Sequence, residues 1–80
     1  MAADPTALHQ LPLGKTGTII AINLVTDDAR RIQEMGLLPG TQVELIRFAP
    51  LGDPVEIKVR GYHLSLRKHE AEQIIVVPTV

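Results

Sequence analysis

The chain has 80 residues, with 8 basic and 9 acidic side chains and a formal net charge of −1. That balance argues against binding to nucleic acid or an anionic membrane driven by overall charge. Cysteine is absent, so no disulfide or thiolate metal site supports the fold. A single small domain of this size must close an aliphatic core: 45% of residues are hydrophobic, yet Phe48 and Tyr62 are its aromatics. No apolar run approaches the ~18 residues of a spanning helix. The start, MAADPTALHQ, has no basic region followed by an apolar stretch, so it does not read as a secretory signal. The expectation is a soluble protein that remains in the compartment where it is made.

Residues 1–10 read as a flexible leader, with Asp4-Pro5-Thr6 favouring a turn and little apolar material to anchor it. Leu11-Pro12-Leu13-Gly14 leads into the domain. Thr16 to Leu24 reads as the first strand, rich in β-branched residues. Strict alternation places Thr18, Ile20, Ile22 and Leu24 on one face, with Ile19 and Ala21 on the other.

Thr26-Asp27-Asp28 signals a helix start, with Thr26 or Asp27 as the cap and acidic groups at the positive end of the helix. The helix spans 27–35. Ile32 and Met35 face the barrel, while Arg30, Arg31 and Glu34 face water. Gly36 ends the helix and Pro39 forbids its continuation.

The second strand runs from Thr41 to Phe48. Val43 and Leu45 point one way, and Glu44, Ile46 and Phe48 the other. Glu44 wants solvent while Ile46 and Phe48 do not. Either a bulge near Arg47 re-aims the chain, or part of that apolar face is exposed. Ala49 to Pro54 forms a hairpin loop, with Gly52 where a positive φ is expected. Pro54 to Arg60 is the third strand, with Val55, Ile57 and Val59 inward. Gly61 permits a turn. Tyr62, Leu64 and Leu66 form the inward set of a fourth strand, with His63 and Ser65 outward. Residues 67–73 make a polar helical turn with Ala71 inward, and Ile74 to Val77 form a closing strand.

The pattern predicts a mostly β fold: a small SH3-like barrel of about five strands, with one helix between the first two, over residues 11–78. The early helix disfavours an OB-fold, whose helix usually comes later.

Catalytic signals are weak. Ser65 is the single serine and lacks a nucleophile elbow. Leu13-Gly14-Lys15-Thr16-Gly17 lacks the earlier glycine of a phosphate loop. Asp27 and Asp28 are explained by the helix start. His63 and His69 do not share a ligand spacing; His69 with Glu70 and Glu72 could hold a divalent metal weakly. Segment 40–68 carries five basic against three acidic residues, an ordinary solvated face without stacking aromatics. The residues therefore describe a binding module without catalytic residues, cofactor or dedicated metal site.

Three words fix a resemblance. Arg31-Ile32 with Met35-Gly36-Leu37-Leu38-Pro39-Gly40-Thr41, then Ala49-Pro50-Leu51-Gly52-Asp53-Pro54, then Leu64-Ser65-Leu66-Arg67-Lys68 with Glu70-Ala71 and Ile74-Ile75-Val76 resemble the FeoA family in order and spacing. The match runs from about Leu11 to Val77. The resemblance implies an SH3-like fold and a cytoplasmic accessory role in bacterial ferrous iron uptake. The implied partner is FeoB, a membrane permease with a GTP-hydrolysing domain. A similar domain closes iron-dependent repressors, which makes a soluble metal-binding regulator using His63 and His69 the alternative. No winged-helix half accompanies a chain starting at Met1, which favours the accessory. SH3-like barrels bind extended peptides in apolar grooves. Leu37, Leu38, Phe48 and Leu51 are the candidate groove residues; the competing reading puts Leu37, Leu38 and Phe48 in or over the core. An open sheet edge could also support a homo-oligomer.

Overall fold

The structure, a computed structural model, describes residues 4–24 and 26–79. It has six strands: β1 (Thr6–Ala7), β2 (Thr16–Ile22), β3 (Gln42–Phe48), β4 (Val55–Val59), β5 (Tyr62–Leu66) and β6 (Ile74–Pro78). A 3₁₀ turn (Leu8–Gln10) follows β1, helix α1 (Thr26–Glu34) follows β2, and helix α2 (Lys68–Glu72) precedes β6. All neighbouring strands are antiparallel, in the order β1-β6-β2-β3-β4-β5. This is the expected SH3-like architecture, with the sheet left open between β1 and β5.

The leader expectation needs correction. Thr6 and Ala7 pair with Val76 and Ile75, and Leu8 is fully buried. One leucine on a single 3₁₀ turn anchors what looked like an unanchored segment, and β1 supplies the sixth strand. Residues 1–3 lie outside the described residues, as does Val25; the expected cap at Thr26 is likewise untested.

Two bulges decide which side chains enter the core. In β2 the register against β6 shifts between Ile19 and Ala21. An extra residue flips the inward set. Gly17 and Ile19 are therefore inward, Ile20 is exposed, and Ile22 and Leu24 pack on the core. The single face proposed for Ile20, Ile22 and Leu24 is thus broken at Ile20. In β3 the shift falls between Leu45 and Arg47. Val43 and Leu45 point inward before it, and Phe48 does so after it. The bulge near Arg47 resolves the conflict between Glu44 and Phe48.

Among the described residues, fourteen buried apolar side chains form one cluster, from Leu8 and Leu11 through Ile19, Ile32 and Leu37 to Ile74 and Val76. Each fully buried Leu, Ile or Val contributes about 1.5–3 kcal/mol of transfer free energy. Gly17 permits the close approach of β2 to β6: a Cβ there would lie 3.0 Å from Val76 Cγ2.

Candidate functional site

Helix α1 is amphipathic, and it lays Ile32 into the core. The next turn carries Met35, half-buried against the core, and Gly36, whose φ of +88° ends the helix. Leu37 then turns fully inward. On the other side, β4 and β5 are joined by Arg60 and Gly61, with φ of 51° and 84°. Such a mirror-type turn matches the twist of a two-residue hairpin.

These two elements enclose a cleft of about 320 Å³. Its apolar lining comes from Met35, Val59, Tyr62 and Leu64, and Gly36, Arg60 and His63 complete it. A second cleft of about 420 Å³ lies on the other side of Arg60, bounded by Thr41, Glu44 and Lys58 among others. The first has the mixed apolar and polar lining of a recognition groove.

Of the four sequence candidates, none lines the first cleft. Leu37 is fully buried, so it is a core residue rather than a groove residue. Phe48 is half-buried and packs on the core, because the β3 bulge turns it inward. Leu38 is 42% exposed beside the turn after α1, and Leu51 is 96% exposed at the hairpin tip. Those two remain available at the surface. Tyr62 corrects the sequence reading in the opposite sense: placed inward by alternation, it is 71% exposed. It opens β5 at the cleft, exposed although Val59 across from it is buried. Its pairing with Met35 in one cleft was not visible in the sequence, since it depends on how α1 lies against the β4–β5 hairpin.

Sequence reasoning also missed a buried carboxylate. Glu70, on α2, is 1% exposed. Its Oε2 pairs with Arg31 of α1, and its Oε1 accepts the Arg67 backbone N–H at 2.9 Å. Burial pushes the Glu70 carboxyl up, but the Arg31 and Arg67 hydrogen bonds and the Arg31 charge outweigh it. The carboxyl is therefore held below its usual value. Arg31 in turn is held above its ordinary value, chiefly by its hydrogen bond to Glu70. The expectation that Arg31 simply faces water misses this anchor.

His69 Nε2 lies 3.7 Å from Asp28 Oδ2. Asp28, His69 and Glu70 form a candidate metal-holding group among the described residues. The donor set fits a cation poorly, because Glu70 is already committed to a guanidinium and a backbone N–H. His63 lines the cleft from β5 and is not part of this group. The two histidines of the regulator alternative therefore occupy separate places.

The family model described as "FeoA domain" matches residues 6–78. A fusion of Fe(2+) transport protein A with the Fe(2+) transporter FeoB from Porphyromonas gingivalis is 33% identical over 69 residues. That match covers 86% of this chain and 8% of the fusion protein, so the chain spans less than a tenth of that relative. The solution structure of the FeoA protein from Chlorobium tepidum superposes with a TM-score of 0.88 at 33% identity, covering 94% of this chain and 71% of that one. A manganese-dependent transcriptional repressor, with manganese, gives a TM-score of 0.86 over 94% of this chain and 37% of its own, at 18% identity. That last likeness is one of fold alone.

Proposed function

The chain belongs to the FeoA family of ferrous iron transport, and on that premise we propose that it is a cytoplasmic accessory that acts by binding the FeoB permease. The observation that carries the reading is the fusion: a relative of this domain is joined to FeoB in one polypeptide. Covalent linkage turns a weak encounter into an intramolecular one, so a pair that works together is favoured as one chain. The cleft beside β5 supports recognition, since apolar and polar side chains line it together. Among the described residues, no helix is long and apolar enough to cross a membrane. In this reading the protein contributes contacts and the chemistry belongs to the partner.

The test is calorimetry of this chain with the FeoB cytoplasmic domain, with GTP analogue, with GDP and without nucleotide. A saturable one-to-one complex is expected. No heat and no co-elution at roughly 100 μM protein would remove the reading.

The alternative is a soluble metal-binding regulator using His63 and His69, of which His69 alone belongs to the Asp28, His69 and Glu70 group. Anaerobic titration with ferrous iron separates the two. With Glu70 committed to Arg31, no site tighter than roughly 10 μM is expected. Tight stoichiometric binding abolished by His69→Ala would favour the regulator.

A further inference from the structure

Strand β5 lies at the end of the sheet and pairs with β4 alone. The register sets Val59 opposite Tyr62 across the two-residue turn. The residues closing such a turn exchange both backbone hydrogen bonds. Antiparallel alternation then assigns Ile57 with Leu64, and Val55 with Leu66, to hydrogen-bonded pairs. His63 and Ser65 are left with their N–H and C=O groups aimed away from β4. An edge with such groups unmade is a template for another strand.

The side chains around this edge state what kind of strand fits. On the core side, the first cleft presents Met35, Tyr62 and Leu64, which an added strand would cover with apolar residues. Along the length of the edge the charge is basic. From Arg60 to Lys68 the sequence has Arg60, His63, Arg67 and Lys68 and no acidic residue. Of the nearby acids, Glu56 lies across from Ser65 but pairs with Arg47, and Asp53 accepts the Lys68 backbone N–H.

We propose that the β5 edge accepts an extended acidic segment of a protein partner as a seventh strand, bonded to the backbone of His63 and Ser65 with its apolar residues in the Met35–Tyr62–Leu64 cleft. This rests on the protein-recognition reading above and names its surface. Backbone bonds supply affinity in such additions, and alternate side chains supply specificity. A second copy of this chain is the competing occupant of any free edge. Antiparallel pairing of β5 with itself about Leu64 would set Arg60 of each copy opposite Lys68 of the other. Basic groups would meet basic groups, so the charge favours an acidic partner.

The experiment uses a fluorescent peptide of about ten residues alternating valine with Asp or Glu. Its companions are a version with lysine for each acid and a version N-methylated at alternate amides. Anisotropy gives affinity, and amide NMR shifts locate the contact. The acidic peptide is expected to shift the His63 and Ser65 amides. Ser65→Pro, Arg60→Glu and peptide N-methylation are each expected to weaken it by on the order of tenfold or more. The methylated peptide tests the edge even if Ser65→Pro does not fold. Equal binding of the lysine or the methylated peptide overturns the proposal, and so does no binding of the acidic one. A concentration-dependent dimer that protects the same amides overturns it in favour of self-association. If FeoB binds wild type and folded Ser65→Pro equally, the edge is wrong while the adaptor reading stands.

Discussion

The α1–α2 junction and the β3–β4 arm each carry one arginine–glutamate pair, and the same chemistry has different weight in the two places. At the junction, Glu70 is 1% exposed and both its oxygens are bonded. In the arm, Arg47 Nε meets Glu56 Oε2 at 2.6 Å, but the two side chains are 63% and 28% exposed. Water competes for the second pair and hardly for the first carboxylate. The junction is thus held by a charge that cannot easily find another partner. The arm must be held by something else, and the structure points to Phe48, which packs on the core beside the exposed pair.

The largest effect should follow from removing that ring. Burying an entire Phe is worth roughly 3–5 kcal/mol when truncated to Ala, and a half-buried ring about half to two-thirds of that. Phe48→Ala is expected to lower stability by roughly 2–3 kcal/mol, read from the urea midpoint. A midpoint unchanged from wild type would show that the arm does not depend on Phe48.

Next comes Arg31→Met. The substitution keeps much of the aliphatic stem but strands the Glu70 carboxylate in the core with the Arg67 N–H. Uncompensated buried charges cost several kcal/mol, but Arg31 is itself half exposed, so roughly 1–3 kcal/mol is expected at neutral pH. The pH dependence sharpens the point. In the wild type, Glu70 is held below its usual value. Its contribution is full above an unfolded value of ~4.3 and drains as pH falls through the folded value. Without Arg31, burial is the largest influence left, opposed only by the Arg67 N–H and His69, and the carboxyl is expected to rise above the unfolded value. The sign then reverses, and protonation on acidification relieves the variant. The stability gap between the two proteins should narrow from pH 7 to pH 4. A gap that stays constant would mean that Glu70 is not the group involved.

The two regions also differ in how far they were legible. Much of the arm could be read from the sequence. Alternation of Val55, Ile57 and Val59 gave β4, and the conflict between Glu44 and Phe48 left either a bulge near Arg47 or an exposed apolar face, of which the structure has the bulge. Local rules with a period of two suffice there. The junction could not be read. Glu70 sits in a polar stretch, and nothing local says that Arg31, 39 positions earlier, will meet it. The cleft failed for a similar reason. Met35 and Tyr62 come together because of helix placement, and Leu37 looked available although one turn of chain carries it inward. The β2 bulge escaped notice because Ile19, Ile20 and Ile22 offer apolar side chains in either register. In β3 the glutamate exposed the conflict; in β2 no polar residue did.

At the tip of the arm, Gly52 has a φ of +87°, and a Cβ there would meet nothing within 4 Å. The cost of a side chain is therefore conformational rather than steric contact with neighbours. Gly52→Val is expected to destabilise by roughly 1–2 kcal/mol. Gly52→Asn should cost less, because Asn tolerates the left-handed region. Equal midpoints for the two variants would show that backbone strain is not the cause.

The smallest effect belongs to the exposed pair itself. Arg47→Ala removes a hydrogen-bonded contact, but both partners regain water, and Glu56 is not left in a dry environment. Pairs of this kind contribute about 0–1 kcal/mol and are screened by salt. Arg47 also sits at the bulge, where it follows the register shift against β4 and lies opposite Glu56. If the ion pair alone matters, Arg47→Ala and Glu56→Gln should each shift the urea midpoint slightly, and the shifts should vanish in 1 M salt. If Arg47 also fixes the bulge, its loss should remain costly in salt and should disturb the packing of Phe48. A double-mutant cycle between Arg47→Ala and Phe48→Ala measures that link directly. Additive losses would leave the ring as the arm's anchor and the ion pair as a surface contact. A coupling energy beyond about 0.5 kcal/mol would instead make the pair part of what turns Phe48 inward, and the contrast with the junction would then lie in exposure rather than in structural consequence.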